Sequence, residues 1–77
     1  MKLKLPIHIQ VRIQERDLQI DHIKKAIREP DFKETVFNGR TRVRKKIDDK
    51  KAIEVIYCKE GFRDTPNQFL VITAYYQ

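Results

Sequence analysis

The sequence predicts an α+β domain in which a helical N-terminal part precedes four successive antiparallel strands. Three observations carry this. Between Leu18 and Arg28 the apolar residues Ile20, Ile23, Ala26 and Ile27 recur at helical spacing. After Pro30 the period drops to two and stays there. Asn38-Gly39 then stands between the first two alternating runs, the signal for a two-residue type I′ hairpin turn. With 77 residues the chain makes one small domain, 1–77, whose core is marginal for its size.

The elements follow in order. A helix is predicted over about 20–29, with Asp21 near its positive start, Arg28 near its negative end and Pro30 as its stop. "FKETVF" gives a strand at about 32–37, "TRVRKKI" its partner at 41–47, and "DDKK" the next turn. "AIEVIYCK" gives a strand at 52–59, "EGFRDTPN" a loop with Gly61 and Pro66, and "QFLVITAYY" a central strand at 68–76. Alternation turns Arg42, Arg44 and Lys46 away from Val43 and Ile47. In the last strand Leu70, Ile72 and Ala74 share one face, opposite Phe69, Val71, Thr73 and Tyr75. Helices cover one face of a two-layer domain, so the basic row falls on the open one, with Thr73 and Tyr75 as candidates beside it and Tyr76 as a rival.

"IHIQVRIQER", residues 7–16, supports two readings. Ile7, Ile9, Val11 and Ile13 alternate as in a half-buried strand, whereas His8, Arg12 and Arg16 fall within about 80° of a helical wheel. Pro6 suits a first helical turn, and a second helix follows closely.

The net charge is +6 and the isoelectric point is near 9.7. Residues 40–51 hold seven basic and two acidic side chains, which accounts for nearly all of the excess. Such a concentration is the footprint of a polyanion partner, against the alternative of a solvated hairpin whose lysines protect an edge. The single cysteine, Cys58, rules out an internal disulfide and suits a reducing cytoplasm. It reads as a small buried residue, and His22 as a surface one. No apolar run approaches a membrane span. No metal-ligand cluster, phosphate-cradling glycine loop or serine triad is present, so neither a metal nor a cofactor is expected.

"HIQVRIQERDL" followed by "QIDHIKKAIREPD", with "FLVITAYYQ" at the close, resembles a family of small microbial proteins catalogued as a domain of unknown function. That family's pattern is His-Ala-x-x-Arg-Met-x-x-Arg-Gly-Ile. His8, Arg12 and Arg16 occupy its three polar places, Ile9 and Ile13 replace Ala and Met, and Asp17-Leu18 replaces Gly-Ile. The family is placed near the RelE, colicin and barnase-like ribonucleases, many of them toxins. The resemblance implies a helix over about 7–17, two N-terminal helices packed on a four-stranded antiparallel sheet, and either metal-independent cleavage of RNA by 2′-OH attack or a descendant that kept only the binding.

Such cleavage needs a base, cations on the phosphorane and an acid. His8, Arg44 and Tyr75 are the candidates for catalysis, and Arg12, Arg16, Arg42 and Lys46 for phosphate contact. The imidazole would have to share one cleft with Arg44. RNA and an acidic antitoxin protein are the partners expected. The rival readings are a non-catalytic nucleic-acid binder using the same basic face, and an interaction module docking on an acidic protein. Equally, Arg12 with Glu15 and Arg16 with Asp17 would be ordinary solvated ion pairs.

Overall fold

The computed structural model describes residues 1–60 and 68–77. Two helices lie on one face of a five-stranded mixed sheet. Strand β1 is Lys2–Lys4, helix α1 is Ile7–Glu15, and helix α2 is Ile20–Arg28. Strand β2 is Phe32–Thr35, β3 is Arg40–Lys46, β4 is Ala52–Glu60 and β5 is Gln68–Tyr76. The sheet order is β1-β5-β4-β3-β2. The last four strands are joined antiparallel as the alternation predicts, and β1 adds to the β5 edge in parallel, which corrects the four-stranded antiparallel expectation. β1 offers only Leu3 as an apolar residue between two lysines, so its pairing with β5 leaves no periodic trace in the sequence.

Residues 7–15 are helical, which settles the ambiguous opening stretch. Pro6 precedes the first turn and its carbonyl accepts from the N–H groups of Ile9 and Gln10 (2.9 and 3.0 Å). The C-terminus closes in a Schellman motif: Leu18 N–H donates to Ile13 C=O (2.9 Å) and Asp17 N–H to Gln14 C=O (3.3 Å). Asp17 takes the positive φ, 52°, that this motif demands. α2 ends at Arg28, and Glu29 has already left helical geometry (φ −133°, ψ 59°) before Pro30. The β2–β3 turn has the positive φ at Asn38 (61°) and Gly39 (69°) foreseen for Asn-Gly. It takes in Phe37 as a third residue, however, so β2 stops at Thr35 and Phe37 stands in solvent. The expected 60–67 loop lies outside the described residues, apart from the backbone of Glu60, which ends β4.

The core joins Ile9, Leu18, Ile23, Ala26 and Ile27 of the helical layer to Val43, Ile53, Val55, Tyr57, Val71 and Ala74 of the sheet. Strict alternation fails in β5. Ile56 pairs with Thr73 but Tyr57 pairs with Val71, so Ile72 is an extra residue. The irregularity brings Val71 and Ala74 onto the core face together, and it turns Leu70, Thr73 and Tyr75 to the open face. Among the described residues, no helix is long and apolar enough to cross a membrane.

Candidate nucleic-acid interface

The open face of the sheet is built by register. Arg42 pairs across to Glu34 of β2 and Ile56 of β4, and Arg44 to Phe32 and Glu54. Glu54 in turn sits opposite Tyr75 of β5. The side chains follow the ladder. Arg42 forms an ion pair with Glu34, and Arg44 Nε donates to Glu54 Oε1 at 2.8 Å. The Tyr75 hydroxyl donates to Glu54 Oε2, and Gln77 Nε2 reaches Glu54 Oε1 at 3.4 Å. Glu54 is only 2% exposed, although it lies on the face without helices, because these partners cover it.

This arrangement sets the local electrostatics. Burial opposes ionisation of Glu54, but the hydrogen bonds from Tyr75 and Arg44 outweigh it and hold the carboxyl below its ordinary value. The same bond to Glu54, aided by burial, raises the Tyr75 phenol, and Glu34 raises Arg42. Tyr75 is therefore a neutral hydrogen-bond donor engaged with a carboxylate. Arg44 also lies over the Phe32 ring, 5.4 Å from its centroid, while 46% of its side chain stays exposed.

The open face is cationic. By alternation Lys2, Lys4, Arg40, Arg42, Arg44 and Lys46 project on the open face against Glu34 and Glu54, among the described side chains. On the helix-facing side, residues 7–29 carry five basic and four acidic side chains, and by the same alternation the sheet adds Lys33, Lys45 and Lys59 there. At one end of the open face, the β3–β4 connection borders a cleft of about 400 Å³ lined by Phe32, Arg44, Lys46, Lys50 and Gln77, among others.

The structure does not bring His8 to this face. His8 is exposed on α1, in the layer that packs on the core side of the sheet, and Arg44 and Tyr75 project from the other side. The sheet stands between them, so the expected common cleft is not formed. Arg12 makes a long, exposed contact with Glu15 (3.5 Å), of the kind that contributes little. Arg16 donates to the Ala74 carbonyl at 2.9 Å, tying the end of α1 to β5 rather than pairing with Asp17. Arg42, Arg44 and Lys46 do share a face, as predicted, and Tyr75 joins them.

Three residues escaped the sequence reading. Glu54 organises the face, and its only trace was a lone acid inside an apolar strand, in hairpin register with Arg44. Phe32 supplies an exposed ring at the edge. His22 is not a free surface residue: its Nδ1 lies 2.8 Å from the Tyr76 hydroxyl, which also accepts from Gln19 N–H (3.2 Å). Tyr76 thus belongs to the helix-facing side and leaves Tyr75 on the open one. Cys58 is half-buried and, by register with Arg40, lies on the open face rather than in the core. Among the described residues no group of His, Cys, Asp and Glu could hold a metal ion. No family model matches the chain, and no curated protein or solved structure matches it.

Proposed function

We propose that this domain binds single-stranded nucleic acid, RNA in the first place, on the open face of its sheet, without cleaving it through the His8, Arg44 and Tyr75 set. One observation carries the reading: among the described side chains, the open face sets six cations against two carboxylates on a sheet surface that no helix covers, beside an exposed aromatic ring. Cations on a sheet track a phosphate backbone, and an exposed ring offers any base a stacking surface. Glu34 pairs with Arg42 and Glu54 with Arg44, but Arg44 keeps nearly half of its side chain exposed, so Arg44 stands with Arg40 and Lys46 among the cations that can meet phosphates. Cleavage lacks the same support, because the only histidine of the proposed trio lies across the sheet. The reading assumes a reducing, cytoplasmic setting, for which the single half-buried thiol of Cys58 is the supporting observation.

The test is fluorescence anisotropy with a short labelled oligoribonucleotide. Binding at low salt should weaken steadily between about 50 and 200 mM salt, with a log–log slope of roughly −2 to −3 for three or four phosphate contacts on a single strand. The RNA should stay intact in chelator. Absence of any affinity at low salt would remove the proposal and favour docking on an acidic protein. Cleavage abolished by His8→Ala would restore the nuclease.

A further inference from the structure

Resting on that reading, we infer that the cleft beside the β3–β4 connection seats one nucleotide of the bound strand, its phosphate on Arg44 and Lys46 and its base on the ring of Phe32. The cleft measures about 400 Å³, within the range of small-ligand sites. Its wall is prepared for a flat ligand. Phe32 is 42% exposed, and the guanidinium of Arg44 lies over it. Arg44 cannot swing freely, because its Nε is anchored on the buried Glu54. A planar cation fixed in this way presents its exposed edge for bidentate contact with a phosphate.

The carboxylates nearby do not cancel this. Asp31 takes the Lys45 ammonium on Oδ1 (3.2 Å) and the Lys46 N–H on Oδ2 (2.8 Å). Asp48 Oδ1 accepts from Lys50 N–H at 2.8 Å inside the turn. Both acids are committed to holding the connection in shape. Asp49 is the third acid of the lining, against the cations Arg44, Lys46, Lys50 and Lys51, and Gln77, whose amide meets Glu54, also lines the cleft.

Backbone-amide NMR with added uridine 5′-monophosphate, uridine or inorganic phosphate tests the inference. The monophosphate should move the amides of Phe32, Lys46 and Ala52 saturably, and bind about tenfold or more tighter than either fragment. Phe32→Leu keeps an apolar side chain but removes the π face. It should weaken the monophosphate by about fivefold or more and leave inorganic phosphate unchanged. Lys46→Gln should weaken both phosphate-bearing probes alike. Amide spectra of the variants show directly whether the fold is kept. Inorganic phosphate binding as tightly as the nucleotide, with Phe32→Leu neutral, would overturn the inference. Shifts confined to other parts of the sheet, or no shifts, would overturn it as well. If the oligoribonucleotide still binds in that case, the open-face reading survives without this seat. If it does not, both fall.

Discussion

Val43, Val55 and Val71 are fully buried on one side of β3, β4 and β5, while Arg42, Arg44, Glu54 and Tyr75 stand on the other side of the same strands. The two faces are held together by different physics. The helix-covered face is stabilised by removing apolar area from water, a force that is non-directional and tolerant of small shape changes. The open face depends on directional bonds that converge on one carboxylate. Glu54 collects Arg44, Tyr75 and Gln77, and so turns a row of mutually repelling cations into an ordered surface. The contrast teaches that here the cationic face is organised by its acids. Two carboxylates fix the central arginines, and the exposed edge of Arg44 and the outer cations are left to act.

Substitutions can break or sharpen this contrast. The largest effect is expected on the covered side. Ile23→Ala empties a fully buried place in α2 and should cost about 3–4 kcal/mol in urea unfolding while leaving RNA affinity per folded molecule unchanged. Glu54→Gln comes next, at about 2 kcal/mol, because three donors lose a charged acceptor. It should have the opposite signature for RNA, holding or raising affinity, since one negative charge leaves the open face. The same variant has a pH signature. The Glu54 carboxyl is held below its ordinary 4.5, so the folded state binds fewer protons than the unfolded one. The stability it contributes is full above about pH 4.5 and is lost as pH falls through the depressed value, and Glu54→Gln should flatten that part of the acid limb. Tyr76→Phe removes the hydroxyl that meets His22 and Gln19 on the covered side, and should cost about 1 kcal/mol with no change in RNA binding. His8→Ala is the smallest. Exposed on α1, it should shift stability by less than about 0.5 kcal/mol and leave RNA affinity within error, and a strong loss of affinity would dissolve the division between the faces.

Several parts of the molecule were legible residue by residue. The α2 stripe, the stop at Pro30, the positive φ at Asn38 and Gly39, and the shared face of Arg42, Arg44 and Lys46 all follow from local periodicity and turn chemistry. The site was only half legible. Strand alternation placed the cations together, but nothing local tells that His8, on a helix, ends on the other side of the sheet from Arg44. The role of Glu54 depends on inter-strand register, which relates residues ten and twenty-one positions away.

The sequence by itself therefore determined the order and kind of most elements and which charges share a strand face, because these depend on periods of two and 3.6 within short segments. Only the tertiary structure decided that Lys2–Lys4 adds to β5, that an extra residue near Ile72 resets the faces of the last strand, and that the imidazole and the basic ladder are kept apart. Those outcomes come from pairing between distant segments and from which face the helices cover, a choice settled by packing the whole core at once rather than by any local stretch of the chain.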